Sequence, residues 1–488
     1  MSYSYIHDLD KGLNSAGMRE LVLTNPPPSR HTHHYPYHKG SRSLVVFGLV
    51  LALITGSAFI FIGIVIYHRS PSGEKYIRVD LSRWADVALG LSFNALVTVC
   101  TDATGYVHGT TLKWGLASEG RLEFNTNIRL FRTTKGALSV NGPVVNTIYT
   151  ISIIFSYAAS STVFLHSSIF PKFLSKLMGS QPPAQSYSIV SFLPPIILGL
   201  SLAIQAILGL IAFFKTEVPT WSSSPLDVAS ALVYHQYVRH RPQRCMRPVT
   251  KIQNSLIKPV PPLSVQPSAL SSHRTVYRSL WFVWIALAVW AGWMGIWGFY
   301  GVPDRLQFNG SVAPLRALGL GVLYLAAVQS VVTIDLHCCE MVTTLARDEL
   351  VWRAASTPAG AQPAGNPLIV VLGSWQSVGL LLTKPATHWF FGITLSIVAG
   401  EGLYGTSLIL CFPLVLLAVA LFTTIVVTRQ PLGPQPATYG HVQTLADLVD
   451  RWSMVMYWGD KEKLGWPVGH AGTSDVPLPP VKMGELYA

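Results

Sequence analysis

The chain has 488 residues, half of them hydrophobic and only 12% charged, with a mean hydropathy of +0.39. Soluble domains carry about 25% charged residues, so this balance excludes an ordinary soluble protein. The net charge of +12 and pI near 9.5 come from residues beside apolar runs, where they orient membrane spans and attract anionic headgroups. No nucleic-acid recognition signature accompanies them.

Residues 1–42 are polar, with Pro26 to Pro28 and a cluster at His31, His33, His34 and His38, and read as a disordered N-terminal tail. Apolar runs at 44–66, 84–104, 144–165, 189–214, 280–300, 317–336 and 406–427 each approach the roughly 20 residues that cross a bilayer. Residues 368–399 hold two shorter apolar blocks broken by Lys384 and Pro385, fitting one more span, a re-entrant segment or an interfacial helix. The expected fold is all-α: a polytopic transmembrane helix bundle of seven or eight spans over 43–428, with a partly ordered C-terminal tail at 429–488.

Lys and Arg crowd the connections after the second, fourth and sixth spans and the tail before the first, which predicts a cytoplasmic N-terminus. The sequon at Asn309 then falls outside as a glycosylation candidate. Cys100, Cys245, Cys338, Cys339 and Cys411 are an odd set with none in an outer loop, so no disulfide framework is implied.

Helices in lipid associate through small residues. Ala52 with Gly56, Ser152 with Ser156 and Ser160, Gly199 with Ala203, and Ala317 with Gly321, each four apart, mark contact faces. In the fifth span Trp281, Trp284, Trp293 and Trp297 read as interfacial belts. Polar residues mark the second span: Asn94, Thr98, Thr101 and His108 recur at helical spacing with Asp102 to one side. Either they line a polar pathway together with Gln205 and Gln329, or Asp102 and His108 sit at the interface while Asn94 bonds a neighbouring helix. Asp335, His337, Cys338, Cys339 and Glu340 are dense in metal-ligand types, but helical spacing splits them between faces and no metal site is expected. Cys338 and Cys339 are palmitoylation candidates against plain packing.

In the basic connection 215–278, Ser224, Pro225 and Asp227 read as the start of a short helix. Arg239, Arg241, Arg244, Arg247 and Lys251 then form a cluster suited to anionic lipid headgroups, or to setting topology. Residues 259–267 read as an extended linker. In the tail, 438–450 reads as an amphipathic helix carrying Val442, Leu445 and Leu448, and its aromatic content predicts docking on the chain's own loops or on a protein partner.

The runs GPQPATYGHVQTLADL at 433–448, YWGDK at 457–461 and HAGTSD at 470–475, with LEFNTN at 122–127, WSSSPL at 221–226 and RDE at 347–349, resemble an uncharacterised family of fungal multi-pass membrane proteins. The resemblance implies a fungal integral membrane protein and carries over no catalytic residues. No nucleophile motif, His box or cofactor fingerprint appears, and the lone carboxylate Glu401 does not supply one. With no paired charges evident deep in the spans, a membrane scaffold or accessory subunit is the first expectation. A transporter or channel using the polar residues of the second, fourth and sixth spans is the alternative, and an enzyme comes last.

Overall fold

The computed structural model describes residues 39–488 except 41, 71–75, 80–81, 128, 167–187, 252–258, 301–314, 363–371, 401–404 and 462–467. The expectations for the tail before residue 39, for Asn309 and for Glu401 lie outside the described residues. The described chain is mainly helical, and six helices are long and apolar enough to cross a membrane: Arg42–Arg69, Val87–Ser118, Pro143–Val163, Leu193–Lys215, Arg274–Ile296 and Val322–Ser356.

The elements in order are α1 (Arg42–Arg69), β1 (Tyr76–Val79), α2 (Arg83–Ser118), α3 (Pro143–Val163), β2 (Leu165–His166), β3 (Ser188–Ser191) and α4 (Leu193–Lys215). Then follow α5 (Pro225–Tyr234), α6 (Ala269–Ser272), α7 (Arg274–Tyr300), α8 (Leu315–Arg353), α9 (Trp375–Gly400), α10 (Gly405–Thr428), α11 (Val442–Leu448), β4 (Tyr457–Lys461) and β5 (His470–Ser474). The ambiguous stretch at 368–399 is largely one helix, α9, with Pro385 inside it.

Among the described residues, two apolar cores lie between the long helices. In the first, α1 to α4 pack together with Val97, Tyr149, Ile153, Leu198 and Leu202 buried. The predicted small faces meet here: a Cβ on Gly56 would lie 2.8 Å from the Gly199 carbonyl oxygen and 3.2 Å from the Ala203 nitrogen, so the α1 and α4 backbones touch. In the second, α7 to α10 bury Trp290, Met294, Leu336, Phe391, Phe412 and Leu416. The tryptophans divide between roles: Trp281 is exposed, Trp284 and Trp293 pack against this core, and Trp284 donates to Thr424 Oγ1 at 3.0 Å.

At one end of the first group the connections form a small antiparallel sheet, order β1-β3-β2, with Tyr76 opposite Ser191 and Leu165 opposite Ile189. A larger cap covers the other end. There Trp221 N donates to the Lys39 carbonyl just before α1, and Trp375 near the start of α9 packs edge-on against Phe422 near the end of α10. The C-terminal segment folds into this cap: Leu445, Leu448, Val449, Met456, Trp458 and Tyr487 pack with Leu226, Met246 and Trp352. Helix α11 is shorter than the expected 438–450. Residues 259–267 are extended, bridging Val260 to Tyr487 and Val265 to Leu432.

Candidate functional site

The two groups meet on a polar seam. On α8, Gln329, Thr333, His337 and Glu340 recur every three or four residues and so share one face; on α9, Lys384 and His388 do the same. Lys384 Nζ donates to Asp102 Oδ1 of α2 at 2.8 Å and to Glu340 Oε2 at 3.1 Å. His337 Nδ1 lies 3.0 Å from the same Glu340 oxygen. Arg129, from the connection between α2 and α3, places Nη1 3.6 Å from Glu340 Oε1. Farther along, Gln329 Nε2 and His388 Nδ1 are 2.6 Å apart, and the His388 ring stacks on Tyr157 of α3 at 3.6 Å.

This arrangement corrects the expectation that the bundle lacks paired charges. A buried charge without a partner is far costlier than one that is paired and hydrogen-bonded, so two carboxylates and two cations from four segments stabilise one another only as a set. The set is uneven in access. The Lys384 side chain is 6% exposed, whereas those of Asp102 and Glu340 each retain 31%, so the lysine is sealed while both acidic side chains remain partly exposed. Lys384 itself was the available sequence signal, since a lysine within an apolar stretch is a functional-site hypothesis by default. Its adjacency to Pro385 made it read as a break, and nothing local links it to residue 102.

The other pathway candidates divide. Asn94 accepts from Ser160 Oγ at 3.2 Å, so it does bond a neighbouring helix. Gln205 accepts from Thr104 at 3.1 Å and donates to Ser156 at 3.3 Å, which ties α2, α3 and α4 inside the first group. Thr98 donates to the Asn94 carbonyl and Thr101 to that of Val97, within their own helix. His108 is buried and stacked on Tyr149 at 4.1 Å, with neither ring nitrogen hydrogen-bonded among the described residues. Asp102 and Gln329 are thus on the seam, while Asn94 and Gln205 belong to a packed network beside it.

Beneath the seam, at the cap, the runs at 122–127, 221–226, 347–349 and 433–448 converge on one knot. Asn125 accepts from Lys113 Nζ at 2.8 Å and donates to Asp348 Oδ2 at 2.8 Å and the Ser223 carbonyl at 3.1 Å. Its backbone nitrogen donates to the Gly440 carbonyl. Glu349 Oε2 accepts from the backbone of Thr438 and Tyr439, each at 2.8 Å, and Trp352 donates to the Pro436 carbonyl at 2.9 Å. The tail therefore clamps the ends of α2 and α8 together.

Within the cap, burial, then the charges of His273 and Arg241, lower the His441 pKa to about 4. A neutral imidazole is what its capping role needs, since it accepts from Thr444 N at 3.2 Å at the start of α11. Burial alone would raise Asp450, but hydrogen bonds from His470, Lys461 and Thr473 hold it below the usual carboxylate range. The Asp450 hydrogen bond, then contact with Cys245, raises His470 to about 10.

Of the basic cluster, Arg241 forks onto Asp447, with Nη2 2.6 Å from Oδ2, and Arg247 is buried while Arg239 is exposed; the side chain of Lys251 lies outside the described residues. Cys338 and Cys339 are both buried, and Thr423 donates to Cys339 Sγ at 3.1 Å, the packing alternative to acylation. Among the described residues no group of His, Cys, Asp and Glu could hold a metal. No protein-family model, curated protein or solved structure matches the chain.

Proposed function

We propose that this integral membrane protein is a transporter or channel in which the seam between its two helix groups is the path of a small polar or charged solute. The observation that carries the reading is the placement of Asp102, Glu340, Lys384 and Arg129 between two apolar cores, with the carboxylates partly accessible. Intramembrane ionisable residues facing a bundle interior commonly mark solute or proton paths. In this reading α9 and α10, at 26 and 24 residues, add two crossings to the six, giving eight. An even count accounts for a cap that receives both the residues before α1 and those after α10. The positive-inside bias then puts the cap in the cytoplasm, with Arg239 toward anionic lipid and Asn309 on the far side.

The test uses a cysteine-free background with single cysteines at Thr98, Thr101, Gln205 and Gln329, probed from each side with a small membrane-impermeant thiol reagent. Labelling at 329 with protection at 205 is expected. Protection at all four positions in normally expressed protein would overturn the pathway reading.

A scaffold or accessory-subunit role is the second reading, favoured by the ordered cap. Because the tail is folded onto the chain's own loops, a protein partner would meet the whole cap rather than a free peptide.

A further inference from the structure

We propose that the Glu340 side of the seam is a binding site for a small organic cation bearing a guanidinium or primary ammonium group, and that Arg129 is a tethered cation filling it. The proposal rests on the pathway reading and names its class of solute.

Four observations carry it. First, the two cations of the seam are held differently. Lys384 belongs to a helix, is sealed and spans both carboxylates at hydrogen-bond distance. Arg129 reaches in from a connection without regular secondary structure at that point. Second, its contact is loose. A guanidinium built into a structural ion pair normally makes paired, short hydrogen bonds to a carboxylate. Here the approach is 3.6 Å, and Nε has no hydrogen-bond partner among the described residues.

Third, the floor beneath it is shaped for a flat group. A Cβ on Gly105 of α2 would lie 2.5 Å from Nη2 and 2.6 Å from both Cζ and Nη1 of Arg129. The guanidinium thus lies broadside over a bare stretch of helix, in space that any other residue at 105 would occupy. Fourth, a second carboxylate besides Glu340 favours positive charge there: Asp102 is also within electrostatic reach of Arg129. The partial exposure of the Asp102 and Glu340 side chains gives an incoming cation access to exchange with the tethered one.

Two contacts hold the tether closed. Asn146 Nδ2 of α3 donates to the Leu130 carbonyl at 3.0 Å, and the Leu130 side chain is buried in the first core. Asn146 holds the loop by its backbone and makes no hydrogen bond to a seam charge among the described residues, so Asn146→Ala loosens the loop while leaving the charges intact.

The experiment uses the full chain, purified in detergent and reconstituted in vesicles, with methylguanidinium chloride as probe and sodium chloride at equal ionic strength as control. In Arg129→Ala, methylguanidinium should raise the melting temperature saturably, with apparent affinity at least about tenfold above wild type, one decade being 1.4 kcal/mol. Adding Glu340→Gln should abolish the effect. Asn146→Ala should show a smaller gain of the same kind, and serves as the test should Arg129→Ala not fold. Binding no tighter in either variant than in wild type, or binding that survives Glu340→Gln, overturns the proposal. Labelled methylguanidinium should also enter Arg129→Ala vesicles faster than wild-type ones. Glu340-dependent binding without entry would keep the cation site and overturn the pathway reading.

Discussion

Replacing Lys384 with methionine removes the ammonium while keeping most of the side-chain volume. It strips Asp102 of the cation at 2.8 Å and leaves Glu340 with Arg129 at 3.6 Å and His337 at 3.0 Å. Removing one member of a buried pair costs about 3–5 kcal/mol, because the partner charge stays behind. With the carboxylates partly accessible, the lower end applies, about 3 kcal/mol, or roughly two decades in the folding equilibrium. Lys384→Met with Asp102→Asn removes the stranded charge as well and should recover about half of the loss. The assay is reversible unfolding in mixed micelles, read as a double-mutant cycle. If Lys384→Met is within about 0.5 kcal/mol of wild type, or if the two substitutions simply add, the charges do not act as a set and the seam argument fails.

Gly440 has φ of +71°, and a Cβ there would lie 2.6 Å from Asp348 Oδ2. Gly440→Ala should therefore cost about 1–3 kcal/mol, most visibly as faster protease cleavage after residue 428; unchanged cleavage would show that the knot does not hold the tail. For the cap's pH response, His470 is raised, so its contribution is complete below the ordinary histidine value near 6.5 and declines as pH climbs through about 10. Asp450, being lowered, contributes above the ordinary carboxylate range and weakens as acid protonates it. Cap stability, followed by tryptophan fluorescence, should thus fall between pH 7 and 10, and His470→Gln should flatten that slope.

The apolar runs and their small-residue faces were legible because they depend on composition and on spacing within one helix. Gly56 and Gly199 each stand in a four-residue small pair, although which faces meet is set by the fold, and the helix starting at Pro225 follows from its proline and acidic first turn. Its cap is refined by the structure: Ser224 makes no side-chain cap bond, and Ser222 instead bonds Asp227 at 2.6 Å. The seam was not legible for the opposite reason. Lys384 and Asp102 are 282 residues apart, and Arg129 looked like ordinary loop charge because the inward turn of its loop is set by Leu130 and Asn146. The quoted runs of the cap were conspicuous, but their meeting at Asn125 is a property of the fold.

The knot at Asn125 also has a mechanical meaning. It ties the end of α2 to the end of α8, one from each helix group, on the cap side. Bodies pinned at one end and meeting along a polar contact open like scissors, with travel growing away from the pin. A rotation of about 10° about the knot would part the far ends by about 5 Å across a hydrocarbon thickness of about 30 Å, enough for a water molecule, while leaving the pinned end shut.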